Sequence, residues 1–114
     1  MNFLGNGYSP NMCVNPNVDI QQRELTKEDF RDETIGALSC IGHQDFAQKL
    51  TEELEREIPF NRRSIYIQPG NVFYYACVNG KRLKEGTTRF PKDREVRYFR
   101  LKFKEAKPLK EAIL

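Results

Sequence analysis

The chain has 114 residues and a mass of 13.4 kDa, with 39% hydrophobic and 31% charged residues. A chain of this length supports one domain that folds without disulfides or a metal, and it excludes a second core. The 19 Lys and Arg residues against 16 Asp and Glu residues give a net charge of +3, which is too mild for a protein that coats nucleic acid. Apolar runs are only a few residues long, so we expect neither a membrane span nor a secretory signal, and a cytoplasmic location.

Three cysteines, Cys13, Cys40 and Cys77, are widely spaced, and the chain has one histidine. A structural zinc site needs thiolates and imidazoles at short paired spacings, which this sequence lacks. We therefore expect no metal site and no other cofactor. Cys40 and Cys77 stand among apolar residues, so we expect both to pack as small buried hydrophobes.

The first third of the chain predicts three strands and one short helix. The apolar pair Phe3-Leu4 begins a short strand, which runs into a loop rich in Gly, Asn and Pro. Residues 18–25 predict a second strand, and Thr26 is placed to cap a helix that reaches about Arg31. Residues 35–41 are small and apolar, and they predict a buried third strand.

The clearest helix signal follows the histidine. Its apolar residues recur at steps of four on one face: Phe46, Leu50, Leu54 and Ile58. Pro59 ends the pattern. Two pairs of opposite charge at the same spacing support this helix: Lys49 with Glu53, and Glu52 with Arg56.

In the second half of the chain the apolar period changes to two, which is typical of strands. Residues 64–78 predict a hairpin, a polar stretch follows at 79–88, and residues 96–103 predict the last strand. We expect the tail at 105–114 to be frayed or to form a short helix. The order of elements predicts an α/β fold in a single domain over residues 1–114: a mixed β-sheet with one long amphipathic helix and shorter helices packed on it.

His43 is the first residue that could carry chemistry. It begins the predicted helix, where free backbone N–H groups and the positive end of the helix dipole favour an anion such as phosphate. Gly42 before it lets the backbone approach a ligand closely. A lone histidine at such a junction also serves as a hydrogen-bonded structural residue, so both interpretations stay open.

Two loops are further candidates. The stretch from Gly80 to Gly86 holds three cations, and an arginine there could bind a phosphate with two parallel N–H bonds. The stretch from Asn6 to Asn11 holds amides, a phenol and a hydroxyl that could hydrogen-bond a base, a ribose or a phosphate. Turn propensity and solvation explain both stretches equally well. The pair Arg62-Arg63 is a third basic stretch, and such pairs usually lie on the surface without binding a ligand.

Taken together, these loops resemble a known family, the small viral type III anti-CRISPR ring nucleases, whose relatives also occur within CRISPR loci. The family's first motif matches Asn6-Gly7-Tyr8-Ser9-Pro10-Asn11-Met12. Its next two match Ile41-Gly42-His43 at the head of the main helix and Asn61-Arg62 before a strand. Its last two match Arg82-Leu83-Lys84-Glu85-Gly86 and the aromatic strand Val96-Arg97-Tyr98-Phe99. The four short motifs and the strand follow in the family's order over nearly the full chain.

The resemblance implies a homodimer that binds cyclic tetra-adenylate across its two-fold axis and cleaves it without a metal. A ribose 2′-hydroxyl would attack the adjacent phosphate, leaving linear di-adenylate with a 2′,3′-cyclic phosphate and silencing type III CRISPR signalling. His43 would be the acid, Arg82 would stabilise the phosphoryl charge, Glu85 would orient one of these two, and Ser9 would position the reacting groups. The resemblance also implies further ligand contacts: Asn6, Tyr8, Asn11, Gly42, Gln44, Asp45 and Arg62.

The sequence departs from the family just after the histidine. Members commonly have small hydroxyl residues there, whereas this chain has Gln44-Asp45-Phe46. Two other functions remain as alternatives. One is a protein that sequesters a cyclic nucleotide without cleaving it. The other is a viral interaction protein without a nucleotide ligand, which would use Tyr98, Phe99 and Arg100 as a partner surface.

Overall fold

The computed structural model describes residues 1–78 and 96–106. These residues form a mixed five-stranded β-sheet with two α-helices packed on one of its faces. Neither helix in this part of the chain is long and apolar enough to cross a membrane. The elements run in this order: β1 Asn2–Gly5, a 3-10 turn Pro10–Met12, β2 Val18–Leu25, α1 Lys27–Glu33, β3 Leu38–Ser39, α2 Gln44–Leu54, β4 Val72–Val78 and β5 Val96–Glu105.

The sheet topology places the carboxyl ends of three neighbouring strands together. The strand order is β2-β5-β4-β1-β3, with β1 parallel to β3 and β4, and with β5 antiparallel to β4 and β2. The carboxyl ends of β1, β3 and β4 therefore lie at one edge of the sheet. In open sheets of this kind, ligands bind at the edge where the parallel strands end.

The helix face of the sheet carries the first hydrophobic cluster. The Thr26 hydroxyl accepts a hydrogen bond from the Asp29 N–H at 3.1 Å, which caps α1 as the sequence predicts. Phe30 of α1 is fully buried, and its ring meets the Tyr98 ring at a centroid distance of 4.8 Å. The buried side of α2 completes the cluster with Phe46, Ala47, Leu50 and Leu54.

The opposite face carries the second cluster, which two irregular segments cover. Its buried residues are Phe3, Ile65, Ile67, Phe73, Leu101 and Phe103. The covering segments are joined by backbone hydrogen bonds, from the Ile67 N–H to the Met12 carbonyl at 2.7 Å and from the Val14 N–H to the Ile67 carbonyl at 3.0 Å. These bonds fix the segment around Ile67 against the sheet.

Two carboxylates tie the helices to their surroundings. Glu53 of α2 pairs with Lys27 and with Lys49, each at 2.9 Å, so the predicted Lys49–Glu53 pair is confirmed. These hydrogen bonds lower the pKa of Glu53. Glu33 of α1 accepts from Arg100 at 2.7 Å and from the Tyr74 hydroxyl at 3.1 Å, and burial together with this bond raises the pKa of Tyr74 to about 12.

Helix α2 ends one turn earlier than its apolar spacing predicts. Glu55 adopts a left-handed conformation with φ of 52°, so the chain turns away before Ile58. Ile58 is nevertheless buried, because its N–H donates to the Thr51 hydroxyl at 2.9 Å and holds it against the core. Arg56 does not pair with Glu52 along a helix; its guanidinium donates to the Arg31 carbonyl and the Thr34 hydroxyl.

Two strand predictions are also corrected. The buried strand predicted at 35–41 shrinks to Leu38–Ser39, because the chain turns at Gly36 with φ of 81° and leaves Ile35 exposed. The hairpin predicted at 64–78 does not form, since β4 already has β1 and β5 as its neighbours. The predicted polar stretch at 79–88 and the tail beyond residue 106 lie outside the described residues.

Candidate ligand-binding site

A cavity of about 500 Å³ opens where β1 and β3 end, on the side of the second cluster. Its floor is formed by Gly5, the last residue of β1, and by Cys40 directly after β3. One wall comes from the first loop and the other from residues 63–66. The lining residues are Gly5, Asn6, Gly7, Ser9, Asn11, Met12, Cys40, Arg63, Ser64, Ile65 and Tyr66.

The first wall presents polar groups on a tightly wound loop. The Ser9 hydroxyl accepts from the Asn11 N–H at 3.4 Å, and the Ser9 carbonyl accepts from the Met12 N–H at 2.9 Å. These bonds cap the 3-10 turn, where Pro10 supplies the first residue and its fixed backbone angle. Asn6, Ser9 and Asn11 therefore hold amide and hydroxyl groups at the cavity.

The second wall supplies a positive charge. Arg63 is the only charged side chain among the described residues that line the cavity, and within residues 1–78 and 96–106 it has no ion pair or hydrogen bond. Burial raises the pKa of the Cys40 thiol to about 11, and the Arg63 charge opposes that rise, so the guanidinium acts on the cavity floor. An unpaired arginine in a polar cavity is suited to an anion such as phosphate.

His43 lies beside this cavity rather than in it. The preceding Gly42 donates its N–H to the Asn6 side chain at 3.4 Å, which ties the start of α2 to the first wall. A Cβ at Gly42 would lie 3.3 Å from Cγ of Arg62, so Arg62 packs directly over this turn. The sequence motifs at residues 6, 42–43 and 62 are thus neighbours in space.

The His43 ring also caps helix α2. Its Nδ1 accepts a hydrogen bond from the Phe46 N–H at 3.2 Å, so that nitrogen carries no proton in this arrangement. The proton of the neutral ring is then on Nε2, which belongs to an exposed side chain. This bond confirms the hydrogen-bonded structural interpretation of His43, and no other residue of the described ranges bonds to Nε2.

Three other predicted ligand contacts, Tyr8, Gln44 and Asp45, do not line the cavity. The Tyr8 ring turns inward and packs on Phe103 at 5.7 Å, and its hydroxyl lies 3.3 Å from the Cys13 sulfur. Burial and this hydrogen bond raise the pKa of Tyr8 to about 12. Gln44 is exposed and Asp45 is half-buried in the first turn of α2. Arg82 and Glu85 lie outside the described residues.

Sequence reasoning missed the arginine that faces the cavity. It selected Arg62 from the family motif, whereas Arg63 lines the cavity and Arg62 covers Gly42. The basic pair Arg62-Arg63 is visible in the sequence, but no local signal distinguishes which of the two lines the cavity. Among the described residues, no group of three His, Cys, Asp or Glu side chains is placed to hold a metal ion.

Comparison with known proteins identifies the family. Among solved structures, B116 of Sulfolobus turreted icosahedral virus (STIV) is similar, with a TM-score of 0.73 and 19% sequence identity, over 89% of this chain and 97% of that chain. At this identity the likeness concerns the fold. No match to a curated protein was found. A family model described as STIV B116-like matches residues 2–104, and the chain therefore belongs to the STIV B116-like family.

Proposed function

We propose that the protein is a metal-independent ring nuclease, which cleaves cyclic tetra-adenylate to linear di-adenylate with a 2′,3′-cyclic phosphate. Such a reaction would switch off type III CRISPR signalling, as expected of an anti-CRISPR protein. The observation that supports this best is the polar cavity lined by Arg63, which has no ion pair with any described residue, because it matches a ligand that carries phosphates. Three of the motifs that resemble ring nucleases, at residues 6–12, 41–43 and 61–62, are neighbours in space, and the first of them lines this cavity.

The two walls suit different parts of a nucleotide. Arg63 would bind a phosphate oxygen, while the amides of Asn6 and Asn11 would bind ribose hydroxyls or base edges. Ser9 would position the reacting ribose and phosphate. Its hydroxyl already accepts one backbone bond, which leaves its own proton free to be donated to a phosphate oxygen.

The reaction needs one proton transferred to a leaving group. The 2′-hydroxyl oxygen bonds to phosphorus and gives its proton to solvent water, the bond from phosphorus to the 5′-oxygen breaks, and that oxygen takes a proton from the acid. His43 would supply this proton from Nε2, which lies on the exposed side of the ring. A ring that gives up a full proton must first be the cation, with Nδ1 protonated as well. His43 therefore has to release the Phe46 N–H when it acts as the acid.

The remaining roles concern residues that follow β4. Arg82 would stabilise the charge on the phosphoryl oxygens, and Glu85 would orient His43 or Arg82. Both stand in sequence between Val78 and Val96, which pair with each other where β4 ends and β5 begins. A second copy of the chain would provide a second site for the symmetric four-adenosine ring.

One observation favours a second candidate, a protein that sequesters the ring without cleaving it. In this structure Nδ1 of His43 is occupied as a helix cap, so the histidine has a structural role that requires no chemistry. The cavity and Arg63 would then serve binding alone. The two candidates make opposite predictions for the fate of a bound ring.

Incubation of the pure protein with labelled cyclic tetra-adenylate in EDTA tests the proposal. A ring nuclease gives linear di-adenylate beyond one equivalent, and Arg63→Gln weakens binding because the phosphate loses its cation. Intact ring retained at stoichiometric protein indicates sequestration instead. If the ring neither disappears nor raises the melting temperature, the cavity does not bind it, and an interaction protein without a nucleotide ligand is favoured.

A further inference from the structure

The wall of the cavity that carries Arg63 also presents an aromatic ring. Tyr66 lines the cavity, and 69% of the residue is exposed to solvent. Its neighbours Ile65 and Ile67 are 8% and 1% exposed, because both side chains are buried in the second cluster. In an extended segment, adjacent side chains point to opposite sides, so the burial of these two residues turns Tyr66 outward.

The backbone at this position is firmly held. The Ile67 N–H donates to the Met12 carbonyl at 2.7 Å, and the Ile67 carbonyl accepts from the Val14 N–H at 3.0 Å. Within the described part of the chain, Tyr66 itself has no hydrogen bond and no ring contact. Tyr66 is therefore an exposed aromatic residue of the cavity lining on a fixed backbone, and its ring has no partner among residues 1–78 and 96–106.

A fixed ring beside a cation is the arrangement that proteins use for nucleotides. Aromatic rings stack on bases, whereas arginine binds the phosphates that join them. Arg63 and Tyr66 line the cavity three residues apart in the sequence, and Asn6 and Asn11 line it from the first loop. The cavity thus offers separate places for a base and for a phosphate.

We propose that Tyr66 stacks on one base of the bound ligand and thereby selects purine over pyrimidine nucleotides. This inference rests on the proposed function, because it assigns a binding role to a residue of the same cavity. Purines present the larger flat surface, so they gain more from a stacking contact than pyrimidines do. The phenol hydroxyl is not needed for stacking, and the ring alone carries the effect.

Equilibrium binding of an uncleavable ring measures this contact. Cyclic tetra-adenylate with 2′-fluoro groups lacks the attacking hydroxyl, and its uridine counterpart presents pyrimidines in the same ring. We expect Tyr66→Leu to weaken binding of the adenine ring by roughly 5- to 150-fold, and binding of the uridine ring by less. Tyr66→Phe should bind like the natural protein. Phe60→Leu is the matched control, since Phe60 is an exposed aromatic that does not line the cavity.

A fluorescence measurement reports the stacking itself. The chain contains no tryptophan, so Tyr66→Trp introduces a single indole whose emission should be quenched when the adenine ring binds. Unchanged emission together with unchanged affinity in Tyr66→Leu would overturn the stacking role while leaving ligand binding intact. If the natural protein binds neither ring by calorimetry, the proposed function fails, and the role of Tyr66 fails with it.

Discussion

Replacement of His43 separates its structural role from its chemical one. In the folded protein, Nδ1 of His43 accepts the Phe46 N–H at 3.2 Å and satisfies one of the free donors at the start of α2. His43→Ala removes this acceptor. Loss of a helix cap costs about 1 kcal/mol, which lowers the melting temperature of a domain of this size by about 4 °C.

His43→Asn provides the matched variant. The Asn side-chain oxygen is a preferred cap and can accept the Phe46 N–H, so we expect stability close to that of the natural protein. An amide does not titrate near neutral pH and cannot act as the acid. If His43 is the general acid, cleavage of cyclic tetra-adenylate should fall by about 10²- to 10⁴-fold in this variant.

Thermal unfolding by circular dichroism and cleavage of labelled ring in EDTA measure the two effects on the same samples. The cap argument fails if His43→Ala unfolds at the temperature of the natural protein. The acid role is refuted if His43→Asn cleaves at the natural rate. Ring that stays intact with all three proteins, yet raises their melting temperatures, identifies a protein that sequesters its ligand.

Three further outcomes follow from the packing. Gly5→Ala should lower the free energy of unfolding in urea by about 1–3 kcal/mol, because the new Cβ would lie 2.7 Å from the Phe73 ring. Gly7→Ala is the control and should leave that free energy unchanged, because its Cβ would have no described atom within 4 Å. The pKa of Glu53 is lowered from 4.5, so its ion pairs stabilise the fold fully above that pH and are lost as the pH falls through the lowered pKa. The difference in free energy of unfolding between the natural protein and Glu53→Gln should therefore shrink from about pH 7 to about pH 3. A difference that stays constant over this range contradicts the argument. The pKa of the Cys40 thiol is about 11 in the fold, against 9.0 for a free thiol, so its reactive thiolate form is about 100-fold rarer. We expect Cys40 to be alkylated about 100-fold more slowly in the folded protein than in urea, as measured by site-resolved mass spectrometry.

The sequence predicted the elements whose signals are local. Strand β2 and helix α1 stand where the pattern expects them, because the cap at Thr26 depends only on neighbouring residues. Strand β5 is likewise found at its predicted start, with its alternating residues paired to strands on both sides. The start of α2 after His43 is confirmed for the same reason, since the cap and the apolar spacing are both local.

The errors arise where tertiary structure decides. Ile58 continues the helical spacing, but the left-handed turn at Glu55 and the Thr51 hydroxyl bring it to the core by another path. Likewise, Ile65 and Ile67 alternate like a strand because one side of the segment is buried, although the segment covers the sheet instead of joining it. Periodicity reports which side is buried, and it does not report the backbone pairing.

The residues of the candidate site likewise fall into two groups, those that a local motif predicts and those that only the fold brings together. Asn6, Ser9 and Asn11 were predicted from one continuous loop motif, and they share one wall of the cavity. Arg63 and Tyr66 come from a distant segment, and only the folded chain shows that they face that loop. A motif thus located the half of the cavity that is continuous in sequence, whereas the opposite half depends on long-range packing.

Both halves of the cavity rest on the second hydrophobic cluster, and this links ligand binding to the stability of that cluster. Gly5 ends β1, which is paired on both sides, and a larger residue there would press on Phe73 beneath it. The opposite wall is anchored by Ile65 and Ile67 in the same cluster. A ligand that spans the two walls would therefore hold together the segments that cover this face of the sheet. A ligand that binds only the folded state raises the free energy of opening by mass action. This increase should be largest for local openings in which the covering segments separate.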